Sequence, residues 1–401
     1  MPDTLLTRLR HDFGEAAVEP GPGGIPRVMP ESTQTVADLC GLAQREGLRV
    51  RVEGQAGWMP PDAPADVAIA TGRLLRIQEL AARDLVATVE SGIAVAALNA
   101  SLASHGAWLA VDPPGHPGRS LGSVIATGTA GPLRHGYGPI RDHLLGVTVV
   151  TGDGRVVRAG GKVVKNVAGY DLTRLQVGGF GAFGIVTEAH LRLRAIPAGH
   201  LILLATGERD ALTYQARALM EESCDGAVLE LSSPLAAGLW TLRLELIGAP
   251  DAIRAEAGRF LSQSEPRWTE LSPDQAKALA RAQVEQSMQG PVGIRLGVFA
   301  DSLDDILDLL DQRLGAGHVS AGAGRGMIRW SGSCHATDLQ DLRRVLAARE
   351  IPLTLERAPW SLRQAVGHFG QYREGVSGLI PRLRAIFDPD SRFVVALEAD
   401  S

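Results

Sequence analysis

From Asp112 to Val186 the chain is crowded with glycine and other small residues, and no other stretch restricts its folding choices as much. Asp112-Pro113-Pro114-Gly115-His116-Pro117-Gly118-Arg119-Ser120-Leu121-Gly122-Ser123 leads to Thr127-Gly128-Thr129-Ala130-Gly131-Pro132 and then to Tyr137-Gly138-Pro139-Ile140-Arg141-Asp142. Small residues at this density let backbone N–H groups approach a ligand closely. Consecutive amides in such turns form nests for an anion such as a pyrophosphate. Tight turns around a buried sheet would use the same residues, and spacing alone does not separate the two readings.

One motif in this stretch points the wrong way. Gly179-Phe180-Gly181-Ala182-Phe183-Gly184 matches the dinucleotide fingerprint G-x-G-x-x-G. That fingerprint requires a helix to follow, with its N-terminus against the pyrophosphate. Here Ile185-Val186-Thr187-Glu188-Ala189-His190-Leu191-Arg192-Leu193 follows, alternating and rich in β-branched residues, which predicts a strand. A Rossmann domain is excluded.

Outside this stretch the pattern mixes helices and strands. Ser32 is a candidate N-cap for a helix carrying Val36, Leu39, Cys40 and Ala43 on one face, stopped by Gly47. Leu48 to Glu53 alternates as a strand and runs into the Gly54-Gln55-Ala56-Gly57-Trp58 turn. A strand at 85–89, a helix at about 93–105 and a hairpin through Gly152-Asp153-Gly154 follow. Beyond about residue 200 glycine turns thin out. Helical spacing appears at 209–222, 251–262 and 301–314, interleaved with strands such as Trp240 to Leu246 and Gly293 to Val298.

Composition limits the function classes. At about 150 residues per domain, 401 residues suggest two or three domains. The net charge of −5 argues against a nucleic-acid binder, which needs a clustered basic face. No apolar run approaches a membrane span, and Met1-Pro2-Asp3-Thr4 does not open a secretory signal. Three widely spaced cysteines, Cys40, Cys224 and Cys334, offer no metal or cluster spacing and suit a reducing compartment, so a cytoplasmic location is expected.

The run Lys165-Asn166-Val167-Ala168-Gly169-Tyr170-Asp171-Leu172-Thr173-Arg174-Leu175, with Val177-Gly178 and Gly184-Ile185-Val186-Thr187-Glu188, resembles the FAD-linked 2-hydroxy-acid oxidases of the vanillyl-alcohol-oxidase (PCMH-type) fold. It is most similar to the FAD-binding subunits of bacterial glycolate oxidase. Val28-Met29-Pro30-Glu31-Ser32 and Val52-Glu53-Gly54-Gln55-Ala56-Gly57 match that family's first pyrophosphate loop. The likeness covers residues 25–197 well and the rest in outline.

The resemblance implies an α+β fold. A bipartite FAD-binding domain would span 1–200, with two subdomains divided near 110. An α+β cap with an antiparallel sheet would span 201–375, and residues 376–401 would return to the FAD domain. By the same resemblance Gly54, Gln55, Ala56, Gly57 and Trp58 hold the pyrophosphate through backbone amides. Pro113, Ser120, Leu121, Gly122, Ser123, Ala130 and Gly131 line the flavin, and Ile185 and Val186 meet the adenine. The implied activity is oxidation of a small 2-hydroxy acid by hydride transfer to flavin. Electrons would then leave through a larger FAD subunit and an iron–sulfur subunit, and any contact with the inner face of a membrane would go through those partners.

Departures from the family matter as well. The first loop has no histidine for covalent attachment, so FAD is expected to be non-covalent. The metal-binding His-x-Gly-Asp-Gly-Asn-x-His motif of larger relatives is absent, so no metal is expected, and the terminal Asn-Pro-Gly is missing after Phe387-Asp388-Pro389. A flavin-binding assembly subunit without turnover, or a stand-alone oxidase or dehydrogenase for another alcohol or hydroxy acid, are the alternatives.

Catalytic residues are open. His116 and His135 flank the flavin loops, where a base would take the substrate hydroxyl proton, although a loop histidine also serves as plain surface. Tyr170 could face substrate or pack in a core. Lys165 is one of only three lysines, while Asn166 suits a turn. Arg134 and Arg141 could clamp a carboxylate, with Asp142 as the plainer partner for Arg141. Cys334-His335 lacks a third member and is set aside as a nucleophile pair.

Overall fold

The computed structural model describes residues 2–55, 59–161, 171–222, 224, 226–233, 238–263, 265–369, 375–395 and 397. The chain forms two compact units. The first joins Met1–Ala130, Pro139–Ile196 and Gln371–Leu397, and the second joins Gly131–Gly138 to Pro197–Gly370.

The first unit has two larger sheets. β1 (Val18–Pro20), β2 (Pro26–Val28), β3 (Val50–Glu53) and β4 (Val67–Ala70) lie in the order β1-β2-β4-β3, with β4 parallel to both β2 and β3. The helix Thr33–Glu46 packs Val36, Leu39, Cys40 and Ala43 into the same core. Its ends follow the sequence chemistry. Ser32 Oγ accepts from Thr35 N–H at 3.1 Å, and Gly47 takes the left-handed conformation at φ 72°.

Next along the chain come β5 (Ile77–Ala81), β6 (Val86–Glu90), β7 (Ala107–Trp108), β8 (Leu144–Val150), β9 (Val156–Gly160), β10 (Ile185–Arg192) and β11 (Arg194–Ala195). β7 and β11 form a short ladder, and the other five make an antiparallel sheet in the order β5-β6-β10-β8-β9. The residues after Gly184 are therefore strand β10, as their alternation predicts. The 112–131 stretch is not all turn: it contains a helix, Leu121–Thr127, capped by Ser120 Oγ, which accepts from Ser123 N–H. Seven residues with two glycines nearby are too few to show a helical period.

The second unit is built on one antiparallel sheet. Its strands are β12 (Gly199–Gly207), β13 (Gly226–Ser232), β14 (Trp240–Gly248), β15 (Trp268–Glu270), β16 (Val292–Gly297), β17 (Gly317–Gly322), β18 (Met327–Gly332) and β19 (Leu353–Arg357). They lie in the order β15-β12-β14-β13-β17-β18-β16-β19. Alternation gives the sheet two unlike faces. Leu242, Leu244, Leu296, Ile328 and Trp330 face a core shared with Leu212, Phe260, Ile306, Leu310, Leu339 and Leu342 of four helices. The intervening Glu230, Arg243, Glu245, Arg295, Arg329 and Glu356 form ion pairs on the opposite face, among them Arg243–Glu245 at 3.1 Å and Arg329–Glu356 at 3.0 Å.

Residues 131–138 join this second unit, a placement the sequence reading did not foresee. The short helix Arg134–Tyr137 lies against β13, and a Cβ on Gly136 would stand 2.8 Å from Ala227 Cα. The Arg325 guanidinium ties it down by donating to the His135 carbonyl at 3.0 and 3.2 Å.

Candidate cofactor site

Within the first unit is a cavity with about 660 Å³ of empty space, part of it open to solvent. Four segments wall it. The end of β3 contributes Val52, Glu53 and Gly54, and one face of the 121–127 helix contributes Gly122, Ser123, Ala126 and Thr127. Phe180, Gly181 and Gly184 lead into Ile185 and Val186 on the third side, and Phe393, Val394 and Val395 make the fourth.

The segments meet because small residues let backbones touch. A Cβ on Gly54 would stand 2.7 Å from Ser120 Oγ, and one on Gly184, at φ 121°, would stand 2.4 Å from Val149 Cγ1. The 178–181 turn caps the exposed end of the helix, with Gly178 N–H donating to Ile125 O at 3.1 Å and Phe180 N–H to Ala126 O at 2.8 Å. Phe180 pays in backbone strain at φ 52°. The misleading G-x-G-x-x-G thus supplies a cavity wall without being a Rossmann fingerprint.

The tail arrives by sheet pairing. Val50 N–H donates to Arg392 O at 2.8 Å and Val394 N–H to Val50 O at 2.9 Å, so the tail lies parallel to β3. Asp388 fixes the preceding turn. Its fully buried carboxylate accepts the N–H groups of Arg392 at 2.8 Å and Phe393 at 3.0 Å. Burial pushes its pKa up, against those hydrogen bonds and Arg384 nearby. It sits so close to Gly152 that a Cβ there would come within 2.3 Å of Asp388 Oδ1.

Of the residues expected to hold cofactor, the structure brings Gly54, Gly122, Ser123, Ile185 and Val186 to this cavity. Gln55 instead donates through Nε2 to Gly92 O at 2.5 Å, Ser120 and Leu121 are fully buried behind the wall, and Ala130 is buried as well. Pro113 is half-buried, and Gly131 belongs to the second unit. Ala56, Gly57 and Trp58 lie outside the described residues, as do Lys165, Asn166 and Tyr170.

The expected amide nest takes a different form at 121–123. Leu121 N–H donates to Ile93 O, Gly122 N–H to Ser91 O and Ser123 N–H to Ser120 Oγ, so these donors are already engaged. Val52, Thr71, Ala126, Thr127, the 180–184 turn and the 393–395 tail were not read from sequence as cavity residues. The 178–184 glycines were the available signal for the third wall, set aside with the failed motif.

The remaining candidates are not among the lining residues. His116 is exposed, and its Nδ1 accepts from Gly118 N–H at 2.9 Å. His135 lies in the second unit with its pKa lowered by burial and then by Arg325. Arg134 lies there too. Arg141 is exposed and faces Asp142 at 3.5 Å. His335 caps the helix Ala336–Ala347 together with Asp338, and burial pushes the Cys334 thiol up to about 11, so this pair holds no thiolate.

Residues 26–160 match the family described as FAD binding domain. They form a FAD-binding domain. Over 122 residues the chain is 42% identical to glycolate oxidase subunit GlcE of Escherichia coli, a match spanning 30% of this chain and 35% of that protein. It is 30% identical over 224 residues to the mitochondrial D-lactate dehydrogenase [cytochrome] of Arabidopsis thaliana, spanning 55% of this chain and 37% of that one. Each match thus spans little more than a third of the relative's own length. In fold the chain is similar to alkyldihydroxyacetonephosphate synthase, with a TM-score of 0.66 at 16% identity, covering 92% of this chain and 75% of that one. The architecture is α+β, with an antiparallel sheet in the second unit.

The cavity residues fit FAD. A Cβ on Gly181 would meet nothing within 4 Å, so the slot is open at that point, while Val52, Ile185 and Val186 supply apolar walls. Glu53, the acidic side chain among them, is neutralised by Arg51 at 2.8 Å and Arg27 at 2.9 Å, which keeps the mouth hospitable to a dianion.

Proposed function

We propose that this chain is the flavin-carrying subunit of an FAD-dependent dehydrogenase that oxidises a small 2-hydroxy acid. The observation carrying the proposal is the glycine-walled cavity, two of whose walls come from the stretch that matches a FAD-binding domain, in a chain whose relatives are named for glycolate and D-lactate oxidation. Bound FAD supplies the two-electron acceptor that a CH–OH donor requires. The chain's own part is to hold it. Gly54, Gly122 and Gly181 admit it, Ser123 offers a hydroxyl, and the 393–395 tail excludes water from one side. On this reading attachment is non-covalent, which is supported by a described cavity lining without histidine or cysteine. Electrons pass to partner subunits, a larger flavoprotein and an iron–sulfur protein, in the cytoplasm. The name of the GlcE relative, a subunit, supports an assembly.

The visible spectrum of purified chain, before and after acid precipitation, tests the cofactor. Flavin released to the supernatant is expected, and colour in the pellet would overturn non-covalent binding. Anaerobic bleaching by glycolate or D-lactate tests the activity. A second reading, a flavin-binding assembly subunit without turnover, draws support from the lining, whose described titratable side chain is the ion-paired Glu53. Bleaching by dithionite but by no hydroxy acid, with or without partners, would select it.

A further inference from the structure

Behind the helical wall of the cavity lies a buried arginine. Arg119 is 7% exposed and donates hydrogen bonds to four neutral oxygens. Nη1 donates to Pro114 O at 3.3 Å. Nη2 serves Ser123 Oγ at 3.2 Å, Thr127 Oγ1 at 2.9 Å and Thr129 Oγ1 at 3.3 Å.

A hydroxyl has one hydrogen to give, and this fixes the direction of the network. Thr127 gives its hydrogen to Ser123 O at 2.7 Å, so in the 2.6 Å contact with Thr129 it must accept. With Arg119 also donating to it, both lone pairs of Thr127 are taken. Ser123 Oγ accepts from Arg119, and its own hydrogen remains for whatever occupies the cavity that Ser123 lines. The amides beside it are engaged elsewhere, so this hydroxyl is the donor that the stretch 121–123 offers the cavity.

We propose that Arg119 is a positioning residue that commits the Ser123 hydroxyl to donate to an oxygen acceptor of the bound cofactor, with its own positive charge set behind that contact. This rests on the FAD reading of the cavity. The guanidinium polarises the O–H it donates to, and hydrogen bonds in such a chain strengthen one another. A low-dielectric wall with a cation behind it favours an electron-rich oxygen, either a phosphate oxygen or a carbonyl of the reduced ring. The two sources differ in which fragment of the cofactor feels the change.

The test uses the full-length chain freed of flavin, with Ser123→Ala, Arg119→Met and the double variant compared by circular dichroism and by FAD titration. Each single variant is expected to weaken FAD about tenfold to a hundredfold, the range for a hydrogen bond to a charged or polarised group. The double variant is expected to be no weaker than Arg119→Met alone, because both act through one contact. If ADP affinity falls by the same factor, the acceptor is a phosphate oxygen. If ADP is unaffected while the flavin midpoint potential drops, the acceptor is on the ring. Wild-type-like FAD affinity and potential in Ser123→Ala, or losses that simply add, would overturn the proposal. Should Arg119→Met fail to fold, Ser123→Ala and Arg119→Lys decide it. Failure of wild-type chain to bind FAD at all would instead remove the functional reading beneath it.

Discussion

The two units solve the burial problem by opposite means. The second unit stacks leucine-rich helices on one face of an eight-stranded sheet, and side chains fill its core. The first unit brings backbones together at glycines and leaves a cavity among them. In one, stability depends on side-chain volume. In the other, the site depends on side chains being absent. A substitution that adds atoms should therefore hurt the first unit most, and one that removes atoms the second.

The largest effect is expected from Gly184→Val. It adds a side chain at φ 121°, where even a Cβ would stand 2.7 Å from Val150 O. Backbone strain and overpacking together cost roughly 2–6 kcal/mol, measurable by urea unfolding, and flavin should be lost from the purified protein. Leu310→Ala does the reverse, hollowing the core around a residue with no exposure. It should lower stability by about 2–5 kcal/mol while the folded protein keeps its FAD Kd within twofold. Flavin loss in Leu310→Ala comparable to that in Gly184→Val would break the distinction between the units.

A smaller effect follows from two histidines of the second unit. Burial lowers the pKa of His318 to about 4 despite Glu230 nearby, and burial with Arg363 and Arg343 lowers that of His368 to about 3. Both stay neutral in the folded chain, whereas unfolded histidines take a proton below about pH 6.5. Their contribution is therefore complete above that pH and is lost as pH falls toward 4. Urea titrations at pH 7 and pH 5 should show it, and His318→Gln should flatten the dependence. The smallest effect is on thiol chemistry. Cys224 and Cys334 are pushed up to about 11 and Cys40 further still, so thiol reagents near pH 8 should label the first two slowly and Cys40 only on unfolding.

Legibility in the sequence followed how local each cause was. Ser32 and Gly47 marked the Thr33–Glu46 helix because both caps lie within it, and the alternation around Arg243 marked β14 because its period is two residues. The helix Pro273–Ser287 escaped notice although Ser272 and Gln275 form its capping box, since Gln286 is its one buried residue among those described and no apolar stripe shows. In the site, Gly54, Gly122 and Ser123 were legible from composition and family likeness. Arg119 was visible only as a charge in a loop, because its role depends on hydroxyls brought together by the 121–127 helix. The return of residues 376–401 to the first unit was expected from the family likeness, but not its register: Phe393 meets the cavity by pairing with Val50, more than 300 positions earlier.

That pairing bears on how the protein is made. Val52 and Gly54 are synthesised early and Val395 late, with the whole 197–370 stretch emerging between them. Contacts this distant in sequence close slowly. A nascent chain would hold a three-walled, solvent-open trough throughout translation of the second unit. On the proposed reading, the fourth wall of the cofactor slot would close only after the second unit had been made.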